Sequence, residues 1–114
     1  MYLGPFYFDA KKIFGQYPEI KLVYFFGSQA EGKGGLLSDY DFAVYFDGDT
    51  PKQKRFDIIL KLNGVLTELL KTNQVDIITL NDDVGSLLKY QAVGGKLIYN
   101  FEPYRLIAEP RILN

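Results

Sequence analysis

Two aspartates, Asp39 and Asp41, stand at the head of an apolar run, FAVYF, and ten residues separate them from a Gly-Ser pair, Gly27-Ser28. The Gly-Ser pair itself closes another apolar run, LVYFF. Side chains alternate along a strand, so carboxylates two residues apart share one face of a sheet. Two negative charges at that separation repel unless a cation lies between them. Carboxylate oxygens suit Mg²⁺, which takes one or two of them and completes its shell with water and substrate phosphates. A Gly-Ser turn after the neighbouring strand offers backbone N–H groups and a hydroxyl to such phosphates. The stretch GSQAEGKGGLLSDYDFAV, residues 27–44, therefore reads as a metal-dependent nucleotide site.

The elements that must position these groups follow from the apolar pattern. Residues 9–16 (DAKKIFGQ) predict a short helix starting at Asp9 and stopped before Pro18. Residues 21–26 (KLVYFF) and 39–46 (DYDFAVYF) are rich in strand formers. The three glycines within 29–38 make that segment a loop, with room for one helical turn near its start. In the second strand Tyr40, Phe42, Val44 and Phe46 share one face, and Asp39, Asp41, Ala43 and Tyr45 the other. The first face is expected to pack on helices and to leave the aspartates on the open side. DGDTP at 47–51 is a turn, with Thr50 as N-cap and Pro51 at the first position of a long helix reaching about Lys71. Its apolar stripe (Phe56, Ile59, Leu60, Leu62, Val65, Leu66, Leu69 and Leu70) reads as core, with Asn73 near its C-terminal end. A third strand, 75–80 (VDIITL), leads to NDD at 81–83, a candidate cap for a helix over 84–92. Gly94-Gly95 turns the chain into a fourth strand, KLIY, and the tail FEPYRLIAEPRILN is expected to dock on the body or on a partner. The fold class is α/β, a small mixed sheet of about four strands with helices on one face.

Composition narrows the chemistry. The 114 residues suit one domain with one core, at 47% hydrophobic and 24% charged residues. With 13 basic and 14 acidic residues there is no basic footprint, and direct nucleic-acid binding is not expected. The absence of Cys excludes disulfides and thiol nucleophiles, and the absence of His leaves acid–base work to Asp, Glu, Lys or Tyr. No apolar run approaches the ~20 residues that span a bilayer. The N-terminus lacks the basic-then-apolar order of a signal peptide, so a cytoplasmic protein is expected. Lys52, Lys54 and Arg55 at the start of the long helix oppose its dipole, which fits either a solvated cluster or a site for an anion or partner. Tyr2, Phe6, Tyr7, Tyr104 and the tail could form an apolar patch suited to a protein partner.

Gly-Ser, ten residues, then Asp-x-Asp resembles the signature of the DNA polymerase beta nucleotidyltransferase superfamily. The details GSQAEG and SDYDFAV resemble its minimal nucleotidyltransferase (MNT) branch. The likeness runs along nearly the whole chain, through the long helix, the acid in VDIITL and the closing GGKLIY. It implies a polymerase beta-like fold, with residues 1–114 as a single minimal nucleotidyltransferase domain. It also implies a third carboxylate, Asp76, beside Asp39 and Asp41. By resemblance these three hold two Mg²⁺ ions, and Asp76 can also accept the proton of the incoming hydroxyl. Gly27 and Ser28 would hold the β- and γ-phosphates, with Ser38 supporting Asp39 or a phosphate.

Members of the family often carry Arg where this chain has Gln29 and again where it has Glu31. Charged hydrogen bonds of that kind are worth ~1.5–3 kcal/mol each. Lys33, in the same loop, either compensates or is simply solvated.

The resemblance implies transfer of AMP from ATP to a hydroxyl of a partner protein. Similar chains act as antitoxins beside a HEPN-domain toxin, modifying one of its tyrosines. A partner in trans also accords with the small size of the chain, as a homodimer or hetero-oligomer. Two alternatives stay open: a binding module that neutralises its partner by occlusion, favoured by Gln29 and Glu31, and nucleotidylation of a small molecule, which needs a further acceptor-binding domain or a dimer supplying one.

Overall fold

The computed structural model describes residues 6–35, 39–101 and 104–113, with side chains from Ala10 onward in the first helix and from Glu109 onward in the last. The order is α1 (Phe6–Phe14), β1 (Ile20–Phe26), β2 (Tyr40–Phe46), α2 (Lys52–Leu70), β3 (Val75–Thr79), α3 (Ser86–Val93), β4 (Lys96–Asn100) and α4 (Tyr104–Leu113). The strands form one mixed sheet in the order β3-β2-β1-β4. β1 runs antiparallel to both β2 and β4, whereas β2 and β3 are parallel, as the long α2 crossover between them allows.

Strand β1 is central and buried at every position from Ile20 to Phe26, which explains its continuous apolar sequence. Its one charged residue, Lys21, lays its ammonium 4.1 Å from the centre of the Phe101 ring. Phe42, Val44 and Phe46 point with Val23 and Phe25 into a core closed by Ala10 and Phe14 of α1 and by Ile58, Leu62 and Leu66 of α2. This is the predicted alternation of β2, with α1 and α2 on the predicted face. The opposite face is not bare. Leu22, Tyr24, Phe26 and Ala43 pack there with Ala92 of α3 and Ile112 of α4. The expectation of helices on one face only is thus corrected: a second helical layer covers the sheet, and the aspartates open at its end.

Several local expectations shift by a turn or less. Helix α1 begins at Phe6, so Asp9 lies inside it and does not cap it. Thr50 is buried, and Pro51 occupies the N-cap of α2 without a side-chain cap bond. The far end of α2 falls where expected, at Lys71, which is left-handed (φ 55°) with its N–H on the Thr67 carbonyl and stands two residues before Asn73. Phe56, Leu60 and Val65 are exposed, and Ile58 takes a core place instead. A helix seated on a sheet buries one side only, and α2 is apolar on more than one. The tail does dock: α4 buries Ile112, and the Tyr24 hydroxyl donates to the Glu109 carboxylate. The proposed patch of Tyr2, Phe6, Tyr7 and Tyr104 falls on residues whose side chains lie outside those described. Among the described residues no helix is long and apolar enough to cross a membrane.

The NDD segment does not cap α3, whose N-cap is Gly85. Asn81 instead clamps the end of β2, accepting the Phe46 N–H at 2.8 Å and donating to the Phe46 carbonyl at 3.0 Å. Asp82 receives Arg55 Nη2 at 2.9 Å. Asn81→Ala leaves both Phe46 backbone groups without that partner and is expected to cost about 1–3 kcal/mol. Urea denaturation is expected to show a lower midpoint at an unchanged slope.

Candidate active site

Sheet register brings the predicted carboxylates together. Asp41 is paired with Phe26 across the antiparallel side and with Asp76 across the parallel side. Asp76, placed by a single acid in an otherwise apolar strand, therefore lies abreast of Asp41 and is exposed. Asp39 stands one residue before β2 and is also exposed. The Asp41 carboxyl is held above its ordinary value, first by burial and then by the charges of Asp76 and Asp39. The three carboxylates thus share one field.

Gly27 follows Phe26 directly, with φ +84°, a conformation that favours glycine. A Cβ there would lie far inside contact distance of Asp41 Oδ2. The missing side chain is the space that the carboxylate occupies. Beyond Gly27 the chain makes the single helical turn expected from the sequence: the Glu31 N–H reaches the Gly27 carbonyl. That turn ends in a Schellman arrangement, with Lys33 N–H on the Ser28 carbonyl at 2.9 Å and Gly32 N–H on the Gln29 carbonyl at 3.2 Å. Gly32 supplies the left-handed residue that this requires (φ +74°), and Ala30 anchors the turn in the core.

Gly27, Asp41 and Asp76 border a cleft of about 960 Å³ whose far wall is α3 and the start of β4. Glu31 and Lys33 line it from the loop, and Tyr90 and Lys96 from the far wall. Ser28 is exposed at the head of the turn and is not among the lining residues. Ser38 lies outside the described residues. The sequence reading missed the α3–β4 wall, because a short helix of mixed composition carries no motif; the one available cue was the lysine after Gly94-Gly95. Gly95 holds this wall close to β1, since a Cβ would meet the Phe25 carbonyl oxygen at 2.7 Å.

The donor set fits a hard divalent cation. All the candidate donors are oxygens, and Asp41 carries a repulsion that a cation relieves. Among the described residues no group of three His, Cys, Asp or Glu side chains forms a cage at metal-binding distance.

Residues 9–103 match the model of the polymerase beta nucleotidyltransferase domain. The chain belongs to this family. It is similar to the protein adenylyltransferase MntA of Aphanizomenon flos-aquae (strain 2012/KM1/D3), with 30% identity over 92 residues covering 72% of this chain. The match spans 58% of that relative's length. Among solved structures it resembles a chain of a toxin–antitoxin complex with AMP-PNP, at TM-score 0.70 and 23% identity, covering 94% of this chain and 83% of that one. A complex of tri-AMPylated Shewanella oneidensis HEPN toxin with MNT antitoxin matches at TM-score 0.62 and 21% identity, covering 94% and 80%. At these identities the structural likenesses establish the nucleotidyltransferase fold.

The raised Asp41 value predicts an unusual stability order for the metal-free protein. A carboxyl whose native pKa exceeds its unfolded one destabilises the fold when ionised. The penalty is complete above the native pKa and shrinks as pH falls from there toward the unfolded value. In EDTA at neutral pH, Asp41→Asn is expected to melt above the unsubstituted protein, with an advantage that narrows as the buffer is acidified through that window. Added Mg²⁺ is expected to raise the melting temperature of the unsubstituted protein only. Differential scanning fluorimetry across pH, with and without Mg²⁺, reads both effects.

Proposed function

We propose that the chain is a Mg²⁺-dependent protein adenylyltransferase, moving AMP from ATP to a hydroxyl of a partner protein. The observation that carries this reading is the register that sets Asp76 abreast of Asp41, with Gly27 directly against the Asp41 carboxylate. Asp39, Asp41 and Asp76 are the residues we assign to metal, two ions being expected. Bound there, Mg²⁺ supplies charge neutralisation for the triphosphate and the leaving pyrophosphate.

The chain's own groups do the rest. The backbone of the Gly27 turn, with Ser28, holds the β- and γ-phosphates, and Ser38 supports Asp39 or a phosphate. Asp76, exposed at the cleft, takes the acceptor hydroxyl's proton as its oxygen attacks the α-phosphorus and pyrophosphate departs. Residues 1–114 act in this reading as one minimal nucleotidyltransferase domain.

The acceptor we infer is a HEPN-domain toxin, with this chain as its antitoxin in the cytoplasm. Support comes from the kinship with MntA, named as a protein adenylyltransferase, and from the fold shared with the antitoxin complexes. A second reading, neutralisation by occlusion with little turnover, is favoured by Glu31, which puts a further negative charge in the cleft where family members often carry Arg.

Transfer from α-³²P-ATP decides between them. In the presence of Mg²⁺ and a host extract, the unsubstituted protein is expected to label a partner band. The Asp39→Ala/Asp41→Ala double variant is expected to lose about a hundredfold of that signal or more, since even outer-shell changes at metal sites cost 10–100-fold. A partner that co-purifies yet takes no label from any of the four nucleoside triphosphates would favour occlusion.

A further inference from the structure

The polar residues of the turn after Gly27 face different ways. Ser28 and Gln29 are not among the residues lining the cleft, and the Gln29 amide donates to the Gly35 carbonyl at 2.9 Å. Glu31 and Lys33 do line it, together with Gly27, Asp41 and Asp76. Lys33 is thus the cation that this loop brings to the cleft.

The backbone holds it there. Left-handed Gly32 reverses the chain, and the Lys33 N–H closes the outer bond of the Schellman turn on the Ser28 carbonyl at 2.9 Å. In such turns the residue at the place of Lys33 frequently packs an apolar side chain against the residue at the place of Ser28 or the one before it. Here those two are Ser28 and Gly27, and the residue brought back against them is a lysine. The usual apolar contact is replaced by a charge beside the glycine turn.

That charge is uncommitted. Among the described residues Lys33 forms no ion pair, although Glu31 stands two residues away in the same loop. The cleft sets three acids, Glu31, Asp41 and Asp76, against two lysines, Lys33 and Lys96. Lys96 belongs to the far wall, at the head of β4, whereas Lys33 is hydrogen-bonded to the turn itself. A polyphosphate resting on that turn therefore meets its protein cation at Lys33.

We infer that Lys33 binds the terminal phosphates of the nucleotide and so favours a nucleoside triphosphate over a monophosphate. The inference rests on the proposed nucleotidyltransferase reading and deepens it. The loop recovers at position 33 the positive charge that Gln29 and Glu31 do not supply.

The test is calorimetric titration with AMP-PNP and with AMP, in Mg²⁺, of the unsubstituted protein, Lys33→Ala, Lys33→Arg and Lys96→Ala. Lys33→Ala keeps the backbone N–H that closes the turn and removes only the ammonium, so its melting temperature without nucleotide is expected to stay nearly unchanged. Its Kd for AMP-PNP is expected to rise about tenfold or more, the worth of one charged hydrogen bond. AMP is expected to bind this variant as it binds the unsubstituted protein, and Lys33→Arg to recover most of the AMP-PNP affinity. Unchanged AMP-PNP affinity in Lys33→Ala, an equal loss for AMP, no recovery with arginine, or the loss falling on Lys96→Ala instead would each overturn the inference. An unsubstituted protein that binds no AMP-PNP in Mg²⁺ would overturn the nucleotidyltransferase reading, and the inference with it.

Discussion

The site depends on one close approach, that of the Asp41 carboxylate to the backbone of Gly27. It exists because β1 and β2 pair antiparallel with Phe26 opposite Asp41, so that the residue leaving β1 arrives beside the acid entering β2. Only glycine satisfies both demands there, the positive φ and the empty volume. Everything else at the cleft follows from this pair. The parallel partner of Asp41 becomes Asp76, and the turn after Gly27 closes over the same corner through its Schellman bonds.

A site that gathers like charges needs a stiff support. The seven buried residues of β1 supply it, with aromatic and aliphatic cores on both faces of the strand. Phe25 stacks on Phe42 at 5.2 Å and on Tyr40 at 6.0 Å, so rings in the core brace the strand that carries Asp41. The crowding is kept to the edge of this core, where solvent and ligands reach it. Asp41 is partly buried, and burial with the neighbouring charges holds its carboxyl above the ordinary range.

Much of this was legible in the residues. The alternation of β2 names its core face, and the Gly-Ser and Asp-x-Asp spacing marks the end of the sheet where the site forms. The single helical turn after Gly27 follows from a loop whose glycines permit its left-handed close. What the residues hid has a physical cause in each case. α3 and α4 are short helices whose apolar positions do not declare which face of the sheet they cover. α2 is apolar on more than one side, so its sequence marks a helix without fixing which residues go inward. Asn81 and Asp82 look like cap residues, yet their partners, Phe46 and Arg55, are more than twenty residues away in sequence. Local propensity loses there to hydrogen bonds that only the folded chain can make.

The strand order gives the cleft two unlike flanks. Asp41 has the central strand and its glycine turn on one side, and on the other it has Asp76 on β3, the last strand of the sheet. On the proposed reading, donor and acceptor therefore need not compete for one doorway. A nucleotide seated against the glycine turn would lie toward the middle of the sheet, and a hydroxyl that meets Asp76 would lie toward its β3 edge. A rim is open to guests of any size, whereas a pocket admits only what it can enclose. An enzyme arranged in this way is suited to acting on a whole folded protein, whose bulk can remain outside while one side chain leans in.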